Sequence, residues 1–375
     1  MRICYVLLSP TYGMHQYTAD LANRMVDAGN EVHLVTTRRC PRDAYDADVI
    51  LHTPTETRNS GFSPDALRPG GYFAVRATLR TIEPDVVHFT GPHLWNVALL
   101  RQMRRLRVPT IHSLHDLSPH SGAAYGRLLT VWNSAVLRGA DHILVHGQRH
   151  RDYLVGLGVA PERVSYTPLL HLFCAPKTLR DGEGSALSSG EEPWALFFGR
   201  LEAYKGVADL MAASAMLRST GRGPRVVVAG SGSLREQWSG SLPALVEVRN
   251  RFIGDEEAID LFRRCALLVL PYRDATQTAL IAAAYYFRKP VVVTRVGALP
   301  EYVEEGRTGW VVEPQQPEQL AHTLDCALAD PSRLTNMGAA GRAWYDRQRK
   351  AEWTALLNMY KRVASIPRSR SGGQQ

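Results

Sequence analysis

Residues 265–294 read CALLVLPYRDATQTALIAAAYYFRKPVVVT. The first six are a short unbroken apolar run, and the last four are another. Runs of this kind fit parallel strands buried on both faces. Between them lie a small-residue loop at 274–278 and a short apolar helix. The same alternation recurs along the chain. RICYVLLSP, QYTADLANRMVDAGN and EVHLVTT open it as strand, helix and strand, with Leu21, Ala22, Met25 and Val26 on one helical face and Gly29 as the stop. DVVHF, PTIHSL and HILVHG follow, then WALFFG, RVVVAG, NRFIG, PVVVT and GWVVE. Strands alternating with helices predict an α/β protein built on doubly wound parallel sheets.

At 375 residues the chain is long for a single core, which predicts two domains. A hydrophobic content of 45% and a charged content of 21% suit a soluble globular protein. No apolar run approaches the roughly 20 residues that span a bilayer. MRICYVLLSP reads as a first buried strand rather than a signal peptide. The polar, Gly- and Ser-rich stretch at 175–193 has no periodicity and reads as a linker or mobile loop. The expected organisation is a first domain at 1–172 and a second at 173–344, with the linker at 174–193. A C-terminal helix follows at 345–366, in a periodic segment carrying Trp344, Trp353, Leu356, Leu357 and Tyr360. The tail IPRSRSGGQQ is expected to be disordered. Two such domains leave a cleft at the carboxyl ends of their strands, where ligands of α/β sheets bind.

The five cysteines are scattered and form no C-x-x-C pair, so neither a disulfide framework nor a zinc site is expected, and the cytoplasm is the expected compartment. A net charge of +8 invites acidic partners. The aromatic-basic interleaving of single-strand binders is absent, so nucleic acid is not expected. Arg101, Arg104, Arg105 and Arg107 fall near a helix end. Either they complement the helix dipole or they face an anionic membrane surface. Twelve of the thirteen histidines precede residue 172, without the acid-histidine spacing of a metal site. His15 reads as a surface residue, and the D-x-D of YDADV as solvated acid.

Three stretches carry chemistry. In FFGRLEAYKG, Arg200 and Lys205 follow a strand end within one turn. An arginine that grips two oxygens and a lysine point charge suit a diphosphate, the bland alternative being a solvated basic loop. In VVVAGSGSL, Gly230 and Gly232 support a tight turn with close backbone approach. A nicotinamide fingerprint would need a third glycine where Arg235 stands. The loop at 274–278 sits at a helix start, whose N–H groups suit an anion.

In order, GRLEAYKG, AGSGSL, FIG, the loop before PVV, GALPE and GRTGWVV, with PTYG and the HD of LHDLSP, resemble the retaining glycosyltransferases of GT-B architecture, family 4 or group 1. The resemblance covers nearly the whole chain. It implies two Rossmann-like domains facing each other across a cleft, with a final helix crossing back to the first. The second domain would hold a UDP- or GDP-linked sugar and the first a glycan, lipid-linked or small-molecule acceptor. No cofactor and no metal is implied, and the location would be cytoplasmic or peripheral at the inner face of the membrane. Arg200 and Lys205 would stabilise the leaving diphosphate, and His115 would orient the sugar. Gly199, Gly230 and Gly232 would approach the donor by backbone, as Gly13 would from the first domain. Phe252 and Ile253 would lie along the base.

One departure stands out. Counting back from Pro290, the family pattern places glutamates at positions that are Ala275 and Ala283 here. Asp274, Thr276, Gln277 and Thr278 are the groups that could hold the sugar instead. A glutamate restored at 283 would tighten nucleotide binding if space allowed, but Tyr285 and Tyr286 on the same short helix argue that the space is filled. The departure leaves two rivals to a transferase: a partner subunit that has lost turnover, and a sugar-nucleotide epimerase on the same fold.

Overall fold

A computed structural model describes residues 1–56, 61–62, 66, 68–117, 126–174, 192–217 and 225–366. His120, most of the expected linker and the tail beyond residue 366 lie outside the described residues. The described chain forms two compact units. Among the described residues, one comprises those of 1–117, 126–167 and 352–366, and the other those of 168–351.

The first unit has a seven-stranded parallel sheet built from β1 (Arg2–Leu7), β2 (Glu31–Thr37), β3 (Ile50–Thr55), β4 (Val86–Phe89), β5 (Thr110–Ser113), β6 (His142–Val145) and β7 (Val164–Tyr166), in the order β3-β2-β1-β4-β5-β6-β7. Its helices are α1 (Tyr12–Asp27), α2 (Pro69–Ile82), α3 (Asn96–Leu106), α4 (Gly126–Gly139) and α5 (Gln148–Gly156). The chain winds outward from β1 to β3, returns to β4 beside β1, and winds outward again to β7. Right-handed crossovers therefore put α1 on one face of the sheet and α2, α3, α4 and α5 on the other.

The second unit has a six-stranded parallel sheet: β8 (Ala195–Phe198), β9 (Val226–Ala229), β10 (Val246–Arg249), β11 (Leu267–Leu270), β12 (Val291–Thr294) and β13 (Gly309–Val312), in the order β10-β9-β8-β11-β12-β13. The helices are α6 (Val207–Ala215), α7 (Leu234–Gln237), α8 (Asp255–Arg264), α9 (Leu280–Tyr286), α10 (Pro317–Leu328) and the long α11 (Pro331–Ala364). β9, β11 and β12 are buried at every residue, as their aliphatic runs require. The doubly wound parallel sheets are those expected from the sequence.

Two local readings are corrected. A strand was expected on NRFIG, but β10 lies just upstream on VEVR. An edge strand is only half covered, so it carries no continuous apolar run to mark it. α1 starts at Tyr12 rather than near Gln16, because the Thr11 carbonyl accepts the N–H groups of Met14 and His15 at 3.0 and 3.2 Å.

α11 is continuous through both units. Trp344 and Tyr345 belong to the core of the second unit. From Glu352 onward the helix belongs to the first. There Glu352 accepts from Arg24 at 2.9 Å, and the same guanidinium lies 4.4 Å from the centre of the Trp353 ring. Tyr360 donates to the Tyr5 hydroxyl at 3.0 Å, which leaves its oxygen to accept from His88 Nδ1 at 2.5 Å. His88 Nε2 then accepts from the Ser113 hydroxyl at 2.9 Å, and Ser113 accepts from Tyr17 at 2.8 Å. This buried polar chain ties α11 to β1, β4, β5 and α1. Removing its central hydroxyl strands a buried imidazole, so Tyr360→Phe should cost about 1–3 kcal/mol in urea unfolding.

The first unit also stores neutral histidines. Burial pushes His15 and His142 down to about 4 and His112 down to about 3. These groups stay neutral in the folded chain but charge near pH 6.5 when unfolded. Their contribution is therefore present above about pH 6.5 and lost as pH falls, because only the unfolded state takes up protons. Each should cost about 2 kcal/mol between roughly pH 7 and pH 5. Urea midpoints measured across that range should fall steeply; a flat profile would contradict the neutral, buried state.

Candidate functional site

A doubly wound sheet opens a crevice where the winding reverses, outside the carboxyl ends of the two central strands. In the second unit those strands are β8 and β11, and their loops are joined backbone to backbone. Gly206, at φ 68°, lies so close to Pro271 that a Cβ there would sit 1.8 Å from the Pro271 carbonyl oxygen. The Tyr204 carbonyl accepts the N–H groups of Arg273 and Asp274 at 2.7 and 3.3 Å. The Arg273 guanidinium closes the same junction with two bonds to the Asp209 carboxylate, at 2.7 and 2.6 Å. The β9 loop joins in the same way: at Gly230 (φ 145°) a Cβ would sit 1.9 Å from the Gly199 carbonyl oxygen. The Asn250 side chain donates to and accepts from the Gly232 backbone, both at 3.1 Å. The loop after β12 is anchored by Ala298 N–H donating to the Thr276 carbonyl at 2.9 Å.

The three cations on these loops differ in their partners. Arg273 is committed to Asp209. Arg200 reaches Glu202 at 2.6 Å, but its side chain is 69% exposed, and such a pair holds little energy. The Lys205 ammonium is half-buried and has no carboxylate partner among the described residues. It donates to the Tyr272 hydroxyl at 3.2 Å, and the Tyr272 ring centre lies 4.8 Å away. It also lies 3.3 Å from where a Cβ on Gly199 would stand. An ammonium that leans on a phenol and an aromatic face, with no carboxylate beside it, is left open to an anion.

Other expected residues fall less uniformly. Phe252 is 71% exposed whereas Ile253 is in the core, so the two do not share a face. Thr278 Oγ accepts the Leu280 N–H at 3.3 Å, so this hydroxyl takes up one of the amides expected to face a ligand. Asp274 and Gln277 are half-buried, with Asp274 fixed through its own N–H. Ala275 and Ala283 are both buried in the core.

In the first unit Gly13 stands in the first turn of α1 rather than in the preceding loop, facing open space. His15 is fully buried, not a surface residue, with Nδ1 at 2.8 Å from the Tyr45 hydroxyl. His115 follows β5, and its Nε2–H donates to the Thr90 carbonyl at 3.0 Å. Its ring lies 5.0 Å from Tyr17 and 5.1 Å from His146, and burial lowers its pKa, which keeps it neutral. The Asp116 carbonyl accepts from Asn133 at 3.0 Å. Asp46 and Asp48 form an exposed turn, and no group of three metal-ligating side chains occurs among the described residues. Tyr272, Tyr204 and Asn250 were not anticipated. The one available signal was a tyrosine two residues past the end of a buried strand at the winding reversal.

Residues 12–169 match the glycosyl transferase 4-like domain, and residues 192–330 match glycosyl transferases group 1. The chain belongs to the group 1 glycosyltransferases. Over 371 residues this glycosyltransferase is 27% identical to D-inositol 3-phosphate glycosyltransferase 1 of Catenulispora acidiphila, a match covering 88% of the chain and 87% of the relative. It is 28% identical to a glycogen synthase of Mycobacterium tuberculosis, covering 88% and 86%. Among solved structures it superposes on a sucrose-phosphate synthase from Thermosynechococcus elongatus with a TM-score of 0.74 at 19% identity, covering 97% and 99% of the two chains. Anabaena HepE in complex with UDP gives 0.73 at 18%, covering 98% and 100%. The fold is GT-B. In the glycosyltransferase no described helix is long and apolar enough to cross a membrane.

The buried setting of Ala283 generates a prediction. A carboxylate placed there would be desolvated without a designed partner, so Ala283→Glu should destabilise the protein by about 3–5 kcal/mol. Urea unfolding together with nucleotide titration checks this, and unchanged stability with tighter nucleotide binding would refute it.

Proposed function

We propose that the enzyme is a retaining glycosyltransferase. It takes a sugar from a UDP- or GDP-linked donor held by the second unit and passes it to a glycan, lipid-linked or small-molecule acceptor. The observation that carries this reading is the Lys205 ammonium, which stands at the winding reversal with a tyrosine rather than a carboxylate for company. A diphosphate is the anion that fits two cations on one turn. Lys205 supplies a fixed charge, and Arg200 exchanges its weak exposed pair with Glu202 for two phosphate oxygens. Structures of Anabaena HepE, which shares the fold, hold UDP and UDP-glucose.

In the proposed reaction the acceptor hydroxyl attacks the anomeric carbon on the face from which the diphosphate leaves. The bond from that carbon to the phosphate oxygen breaks, and the acceptor proton passes to the departing phosphate. Lys205 and Arg200 stabilise the charge that develops there. They take the place of a metal ion, so chelators should leave activity intact. In the first unit we assign His115 to the sugar, its neutral ring held by Thr90. Asp274 and Gln277 are the groups we assign to the sugar in the second unit.

A thermal-shift screen with UDP and GDP in the presence of a chelator tests the donor site, since a ligand at about 100 times its dissociation constant adds about 2.7 kcal/mol. Lys205→Met should abolish the shift caused by the diphosphate while leaving binding of the bare nucleoside unchanged. Arg200→Ala should lower kcat/KM by at least about 10²-fold. The anomeric configuration of the product, read by NMR, should match that of the donor. Near-normal activity in both variants would remove the assignment, and epimerised nucleotide sugar would replace the reaction.

A further inference from the structure

The helices α2, α3 and α4 lie side by side on one face of the first unit. Gln102 of α3 donates to the Arg76 carbonyl of α2 at 3.1 Å, and Arg104 of α3 donates to the Arg138 carbonyl of α4 at 3.1 Å. Their sequences carry two arginines in α2, three in α3 and two in α4, and no aspartate or glutamate. On α3 the inward positions Leu99, Leu100 and Met103 are buried, which turns Arg101, Arg104 and Arg105 outward. Arg107 follows, also exposed. Arg76, Arg80, Arg101, Arg105 and Arg107 make no ion pair with another described residue. Among these arginines stand four large exposed apolar side chains: Phe73 (57%), Leu106 (42%), Leu128 (44%) and Val131 (66%).

Helix dipoles account for part of this. Arg80, Arg104, Arg105 and Arg138 sit in last turns, where cations are favoured. They do not account for Arg76 and Arg101, for the absence of acids in all three helices, or for the apolar side chains. α8 shows how a helix of this chain that carries both signs is written, with Asp255, Glu256 and Glu257 in its first turn and Arg263 and Arg264 in its last. Arg101, Arg104 and Arg105 repel one another at three- and four-residue spacing with nothing of opposite sign between them.

We propose that the outer face of α2, α3 and α4 docks on an anionic lipid bilayer. The guanidinium groups bind lipid phosphates, and Phe73, Leu106, Leu128 and Val131 enter the interface between headgroups and acyl chains. Charge selects the partner: only an anionic surface relieves the repulsion on α3. The apolar side chains select lipid over nucleic acid, whose backbone offers them no apolar phase to enter. Arginine, with its planar fork and weak hydration, suits the lipid phosphates. The docking surface stands on this helix layer alone and does not depend on the donor reading.

Flotation of the full-length protein tests it, with vesicles of pure phosphatidylcholine and vesicles of phosphatidylcholine mixed with phosphatidylglycerol. The protein should float with the mixed vesicles, not with the pure ones, and high salt should weaken the binding. The double variant Arg101→Glu/Arg105→Glu should reduce binding at least tenfold. Leu128→Ser/Val131→Ser should also weaken it, and should do so in high salt as well as low. All these positions are exposed, so thermal midpoints should stay near that of the parent. Lys350→Glu/Lys361→Glu on α11 applies the same change of net charge elsewhere and should leave binding unaltered. Equal loss in that control would reduce the effect to net charge and overturn the surface. Absence of flotation with mixed vesicles would also overturn it, as would binding to a duplex DNA fragment that displaces the vesicles and is unaffected by the serine substitutions.

Discussion

The second unit depends on how closely the loops after β8 and β11 approach each other. Gly206 has no side chain, so the Pro271 carbonyl occupies the place where one would be. That contact brings the Tyr204 carbonyl within reach of two amides of the 271–278 loop. It also sets Lys205 beside Tyr272. Any side chain at Gly206 would clash with backbone, which cannot rotate away, and the whole junction would have to open. The parallel sheet supplies two strand ends on the same edge. The glycine turns that edge into a place where a charge is held at a fixed spot.

Charge at the junction is distributed by function of position. Arg273 is spent on Asp209 and locks the loops, a structural use that a bidentate guanidinium serves well. Lys205 is instead held by a phenol and an aromatic face, partners that orient an ammonium without neutralising it. A carboxylate in place of Tyr272 would hold the lysine more tightly and would also cancel it.

Both sheets were legible because their central strands are buried on two faces and written as aliphatic runs, LLVL and VVVT among them. The edges were less so: VEVR in β10 is half covered, and at four residues its alternation is too short to mark a strand. Arg200 and Lys205 were legible from their place after a strand. Their different states were not, because Glu202 and Tyr272 differ in what they do to a cation only once distances are known. His15 was misjudged for a related reason. A histidine near a helix start looks solvated, and only the tertiary partner Tyr45, thirty residues away, buries it. The arginines of α3 could be counted from the sequence. That α2 and α4 extend the same acid-free face follows from the winding order alone.

The alanines at 275 and 283 bear on the charge of the site as well as on its contacts. The β8 and β11 loops, with the start of α6, carry three cations (Arg200, Lys205 and Arg273) against three acids (Glu202, Asp209 and Asp274). The sum is zero before any ligand arrives. Glutamates at both alanine positions would make it negative, and an anionic diphosphate would then meet net repulsion, relieved only where those carboxylates were neutralised by hydrogen bonds to the donor. With alanine at both positions that compensation is not required. Gly297 packs against the Ala275 carbonyl, at 1.8 Å from where its Cβ would be, so position 275 also supplies backbone to the junction. The small residues thus serve two ends at once, close loop packing and a potential that does not oppose an anion. On the proposed reading, a donor would rely on Lys205 and Arg200 for its phosphates far more than on carboxylates for its sugar and ribose.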